Sequence, residues 1–310
     1  MRKLFLFICL LLHKTESKNK IKNVKKKIKT ALILEGGGMR GAYTAGALSW
    51  LLDNNIEFDN AYGISAGAIH LVSFLSGSKE RLYDFSVDGI VDKRIVGIKP
   101  FLRCGRIVDY DFLFDHILKE EKQFDLEDLR NCKTDAYIGL YELSKGKTEY
   151  FNIRDISMKE LQASTSLPII GKVVNDKGRE ILDGGITDMI PIEQAVKDGC
   201  NRCLIITTKP GDYVRKPAKK FVVELMKITY PQCERIAEDY QIRHINYEKQ
   251  IELIKQMEEE SKAVYCYPSK KSNVTRLGGS RDELAQLFEL GYNDMEERKE
   301  KILKLLEKDS

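Results

Sequence analysis

Gly63-Ile64-Ser65-Ala66-Gly67 is a GxSxG pentapeptide, and its serine is the first residue in the chain placed to do nucleophilic chemistry. It follows Asp59 to Ile64, which reads as a second short strand. It precedes an apolar stretch, Ala66 to Leu75, which predicts a helix. A serine hydroxyl projects from a sheet when it occupies so sharp a strand-to-helix turn, and flanking glycines remove the side chains that would collide there. The helix start beneath the serine brings backbone N–H groups and positive dipole to any developing oxyanion. An ordinary turn can carry the same five residues; the strand and helix on either side favour the nucleophile.

Glu35-Gly36-Gly37-Gly38-Met39-Arg40-Gly41 supplies the second candidate. Three bare glycines between a predicted strand, Thr30 to Leu34, and a predicted helix, residues 41 to 53, let backbone N–H groups approach an anionic oxygen. Gly36, Gly38 and Gly41 also match the dinucleotide fingerprint GxGxxG. That reading wants an acidic residue at the end of the next strand, whereas Asp59 stands at its start and the strand runs into GxSxG. Both turns follow successive parallel strands and emerge at one edge of the sheet, so the glycine loop reads better as an oxyanion hole for Ser65.

The serine needs a base. Of four histidines, His13 lies in the leader, His70 is five residues past Ser65 on the same predicted helix and is expected to point away, and His116 and His244 lie in charged helical segments. Asp183, in Ile181-Leu182-Asp183-Gly184-Gly185, follows a short strand and is exposed by two glycines; an ordinary turn aspartate remains the alternative.

These turns need a scaffold. The 310 residues, 43% of them hydrophobic, suffice for a sizeable core. Strand, glycine loop, helix, strand, serine turn and helix make an α/β pattern with a parallel sheet. Residues 134 to 143 and 147 to 153 read as a hairpin, and residues 111 to 119 and 126 to 130 as helical. Residues 192 to 198 read as a helix stopped by Gly199, and residues 202 to 208 as a buried strand. Ser280 reads as the N-cap of a last helix. One domain is expected over residues 30–300, followed by a charged tail, 301–310.

Seven cysteines, including the isolated pair Cys200 and Cys203, read as packed small hydrophobes. The first 30 residues hold ten Lys or Arg and one Glu, +9 against +4 for the whole chain, which leaves a body of −5. A mildly acidic body gives nucleic-acid binding no support. The leader, residues 1–29, has nine apolar residues, Leu4 to Leu12, too few to span a bilayer. A cleaved signal, a membrane-touching anchor and a disordered segment all stay open, so the location is cytoplasmic or peripheral to a membrane with export open. Its lysines suit anionic lipid surfaces, at about 1 kcal/mol each.

The ordered set EGGGxRG, GxSxG and DGG resembles the patatin-like phospholipases, bacterial type, over roughly residues 31 to 300. Ala163 to Pro168 and Asp188 to Pro191 resemble the family's segments before and after the aspartate. The resemblance implies a three-layer α/β/α sandwich with a mostly parallel central sheet. It implies a Ser–Asp dyad without histidine, no metal or cofactor, and phospholipid or neutral lipid esters as substrates at a peripheral membrane contact. Ser65 is then nucleophile and Asp183 base; Gly36, Gly37, Gly38, Arg40 and Gly41 form the oxyanion loop; Gly63, Gly67, Gly184 and Gly185 shape the turns. Acyl transfer or thioester cleavage by the same dyad, and a non-catalytic membrane-associated binding protein, are the rival readings.

Overall fold

β1 (Thr30–Leu34) is apolar from Ala31 onward because protein covers both of its faces: Leu32 and Leu34 enter one hydrophobic cluster, Ala31 and Ile33 another. The same alternation divides β7 (Arg202–Ile206), with Leu204 and Ile206 on the first side and Cys203 and Ile205 on the second. The computed structural model describes residues 27–95, 97–104, 108–109, 111–114 and 126–307. The leader through residue 26, His116, and the helix expected over 111–119 beyond residue 114 lie outside the described residues.

The sheet runs β5-β6-β3-β2-β1-β7-β8, with β4 paired to β3 off that path. Strands β2 (Asn60–Ile64), β3 (Asp135–Glu142), β7 and β8 (Ala263–Cys266) continue β1 in parallel. β4 (Lys147–Asn152) returns antiparallel as the expected hairpin. β6 (Arg179–Asp183) also runs antiparallel to β3, and β5 (Val174–Asp176) antiparallel to β6.

One face is covered by α1 (Gly41–Asp53), α2 (Ala66–Leu75), α3 (Met158–Thr165), α7 (Arg281–Glu297) and α8 (Lys299–Leu306). The other is covered by α4 (Ile192–Lys197) and α6 (Arg243–Glu259), while α5 (Lys220–Thr229) packs with Tyr141 and Leu182 at the β6 end. The result is a three-layer α/β/α sandwich on a mostly parallel sheet. Ser280 closes a capping box with Glu283 at the start of α7. α7 is not the last helix: residues 299–306, which the sequence reading divides between domain and tail, form α8, with Ile302 and Leu305 buried. Cys200 and Cys203 are buried free thiols packed in the second cluster.

α7 lies against α1, where Tyr43 Oη donates to Asp294 Oδ2 at 3.0 Å. Their backbones approach so closely that a Cβ on Gly291 would overlap the Tyr43 carbonyl, and one on Gly46 the Phe288 carbonyl. Overpacking costs typically 1–3 kcal/mol and more where backbone must yield. Gly291→Val is expected to lower Tm by several degrees, at roughly 2–4 °C per kcal/mol. An unchanged Tm by calorimetry would show that this crossing is looser than described.

Candidate functional site

The pairing of β3 brings the serine and the aspartate together. On one edge, β2 ends with Ile64 opposite Gly139 of β3. β6 arrives from the opposite direction and ends with Asp183 opposite Leu140. β4 occupies the other edge of β3 across both stretches, so β2 and β6 share one edge and meet end to end between Gly139 and Leu140. Ser65 and Asp183 are the residues at that junction. The backbone N–H of Asp183 is also held by Ser166 O at 3.0 Å, from the segment preceding it.

Ser65 is half-buried at the start of α2 with φ 57° and ψ −127°, a backbone conformation rare outside glycine. Such residues cost about 1–3 kcal/mol and persist where the surroundings over-determine them. Here the surroundings are backbone: a Cβ on Gly63 would meet Gly67 O at 2.7 Å, and one on Gly67 would meet Leu34 O at 2.7 Å.

Asp183 is 1% exposed. Its Oδ1 accepts from Gly185 N at 2.7 Å. Its Oδ2 is buried with no hydrogen-bond partner in the described structure. Burial pushes its carboxyl above the ordinary value, while the Ser65 hydroxyl, the Gly185 N–H and the charges of Arg243 and Arg276 pull against it. The hydroxyl thus bears on the carboxylate without being locked to Oδ2, as is common before substrate tightens a site.

The glycine loop crosses beside the serine. A Cβ on Gly36 would stand 2.8 Å from Ser65 Cβ, and one on Gly37 2.6 Å from Thr208 Oγ1. Gly38 adopts φ +59°, and a Cβ there would collide with Arg276 O, the acceptor for Met39 N at 3.0 Å. Among the described residues the N–H groups of Gly36, Gly37 and Gly38 have no backbone acceptor. Gly41 stands apart from them: it opens α1, and its Cα faces His70, whose Nε2 lies 2.5 Å from where a Cβ would be. Arg40 is half-buried with its Nε unpartnered. Gly184 and Gly185 continue the Asp183 turn, with Gly184 packed on Gly139 O.

A buried ion pair anchors the base of the loop. Glu35 accepts from Thr208 N at 2.7 Å, from Thr208 Oγ1 at 3.0 Å and from Lys209 Nζ. Burial pushes Lys209 down to about 8, against the pull of Glu35. Its ammonium lies 5.5 Å from the centre of the Tyr213 ring and 5.4 Å from that of Tyr247.

Two cavities meet at Ser65. One is apolar, about 120 Å³, lined by residues including Met39, Ile69, Phe85, Val108, Phe114 and Leu277. The other is basic, lined by Gly36, Gly37, Gly38, Asp183, Arg215, Arg243 and Arg276 among others. Gly38, Ser65, Leu167 and Arg276 line both. The three arginines were missed in the sequence. They come from a loop, a charged helix and another loop in the last third of the chain, and no motif marks them.

His70 lines the same apolar cavity as Ser65, with its ring against Gly41. It is nevertheless a poor base: burial pushes it down to about 4, and its Nδ1 has no partner. His244 is half-buried at the start of α6 with Nδ1 3.2 Å from Gln241 O. Among the described residues no group of three or more His, Cys, Asp or Glu is arranged to hold a metal ion.

These elements define an α/β/α protein with a serine turn beside a glycine-rich loop. Residues 32–196, just over half of the chain, match the patatin-like phospholipase family model. The chain belongs to the patatin-like phospholipase family. Residues 233–307 match a domain of unknown function (DUF6363), a segment that includes the whole of α6, α7 and α8. The chain is 27% identical over 200 residues to the uncharacterized protein YjjU of Escherichia coli (strain K12), across 60% of this chain and 54% of that protein. It therefore spans about half the length of the curated relative it matches. In structure it is similar to VipD from Legionella pneumophila, with TM-score 0.48 and 14% identity, over 87% of this chain and 66% of that one.

Proposed function

We propose that this chain is a serine esterase of the phospholipase A or lipase type, with Ser65 as nucleophile and Asp183 as its base. The observation that carries the reading is the convergence of β2 and β6 on one edge of β3, which leaves the serine turn and a buried, partly unsatisfied carboxylate as neighbours. Asp183 Oδ2 takes the Ser65 proton as Oγ attacks the ester carbonyl. The N–H groups of Gly36, Gly37 and Gly38 stabilise the oxyanion. The alcohol leaves with the proton, and the acyl group stays on Ser65. Water then attacks the acyl-enzyme with the same carboxylate as base. A buried carboxyl with a raised pKa is a better base than a free one near 3.9. No histidine takes part.

The apolar cavity beside Ser65 suits an acyl chain. Peripheral membrane contact is supported by α5, which exposes Phe221, Leu225 and Ile228 on one side. Lys216, Lys219, Lys220 and Lys227 lie on or just before this helix in sequence, a combination that favours an anionic lipid surface. Among the described residues no helix is long and apolar enough to cross a membrane.

Covalent labelling tests the reading most directly. A fluorophosphonate should attach at Ser65 of the wild type and not label Ser65→Ala, and the wild type should release fatty acid from mixed lipids. A folded wild type that neither labels nor hydrolyses a soluble ester or any lipid would sink the proposal.

A further inference from the structure

The basic cavity holds more positive charge than hydrolysis requires. Arg215, Arg243 and Arg276 all line it, and Asp183 is the only acidic residue that does. Among the described residues none of the three makes an ion pair. Arg243 is only 9% exposed, and its Nε, like that of Arg215, is buried without a hydrogen-bond partner. Aromatic rings back both groups: Tyr240 lies 4.7 Å from Arg243 Cζ, and Tyr247 lies 5.0 Å from Arg215 Cζ. Burial, followed by the repulsion of Arg215, pushes Arg243 down to about 10. The glycine-loop N–H groups already serve the oxyanion. Three unpaired guanidiniums, one buried and two partly buried, make sense as an incomplete site that an anion completes.

From the serine hydrolase reading of this same site, we propose that Arg215, Arg243 and Arg276 seat the phosphomonoester head group of the lipid whose acyl chain occupies the apolar cavity. The substrate class is then a lipid phosphomonoester of the phosphatidic acid type. Ser65 and Arg276 line both cavities, so the ester bond lies at the boundary between tail and head. A phosphomonoester carries about −1.5 to −2 charge near neutral pH and three acceptor oxygens, which match planar guanidinium forks. A choline or ethanolamine diester carries less charge and adds a cation. The basic cavity has no aromatic side chain in its lining to receive that cation, and its one carboxylate is the proposed base.

The test compares dioleoyl phosphatidic acid with dioleoyl phosphatidylcholine in detergent mixed micelles, using the full chain. The wild type should favour phosphatidic acid in kcat/KM by at least about tenfold, which is about 1.4 kcal/mol. Arg215→Gln should bring the ratio to within about twofold, and Arg215→Lys should recover part of it, keeping the charge without the fork. An activity-free arm uses glycerol 3-phosphate as probe: it should raise the Tm of the wild type, glycerol should not, and Arg215→Gln should lose the shift. Equal rates on the two lipids would overturn the proposal. So would an undiminished preference in Arg215→Gln, which would trace the preference to the charged micelle surface instead. A Tm shift with equal lipid rates would mean a site for soluble phosphate esters and would also overturn the head-group assignment. Absence of labelling and of soluble-ester turnover would count against the hydrolase reading itself, and the thermal arm would still decide the anion site.

Discussion

Ser65→Ala, Asp183→Asn and the double variant are expected to fall to a similar residual rate on a soluble ester, at least about 10⁴-fold below wild type. That loss corresponds to about 5 kcal/mol of barrier. Groups that act as one unit are non-additive, so removing the second costs little once the first is gone. Asn keeps the shape of Asp183 and can still accept from Gly185 N, so Asp183→Asn tests the base and not the turn. His70→Gln and His244→Gln should stay within about tenfold of wild type, the former because burial already holds His70 near 4 and neutral. A histidine variant as inactive as Ser65→Ala, or near-normal turnover in Asp183→Asn, would overturn the pairing.

The raised pKa of Asp183 adds two readouts. As the base it must be ionised, so the acid limb of kcat/KM should lie above the ordinary carboxylate value and not at it. For stability, the folded state holds the Asp183 proton more tightly than the unfolded chain does. That contribution is complete below the unfolded carboxylate value and is lost as pH rises through the raised folded one. At neutral pH the ionised, buried carboxylate is therefore a burden. Asp183→Asn is expected to be as stable as wild type or more so at pH 7, with the advantage shrinking on acidification. Urea melts at both pH values decide this, and a variant clearly less stable at pH 7 would contradict the stated environment.

Gly38→Ala is expected to lower kcat by about 10²–10³, equivalent to about 2.7–4 kcal/mol, with the fold retained. Two features make this position exacting. Its φ of +59° is a region that side chains disfavour, and a Cβ would collide with the Arg276 carbonyl that also holds Met39 N. The loop has to shift, and a displacement of a few tenths of an ångström spoils a donor aimed at an oxyanion. Full turnover in a folded Gly38→Ala would remove the loop from the chemistry.

Much of this protein is legible along the chain. Gly63 to Gly67, Glu35 to Gly41 and Asp183 to Gly185 announce themselves because turn geometry is local: a backbone forced into tight or left-handed conformations needs glycine within a few residues. The buried strands are equally local, since a strand covered on both faces must be largely apolar, as Ala31 to Leu34 is. The tertiary structure decided the rest. Nothing within residues 60–65 or 179–183 says that β2 and β6 share one edge of β3; that register is set by long-range pairing, and it alone makes neighbours of residues 118 positions apart. The place of His70 on the apolar cavity depends on where α1 and α2 cross. The arginine cluster is the extreme case: positions 215, 243 and 276 lie on three separate segments, and any one of them alone is an ordinary solvated charge. Their shared cavity exists only because chain folding brings three distant segments together, with Arg243 buried and Arg215 and Arg276 partly buried beside it.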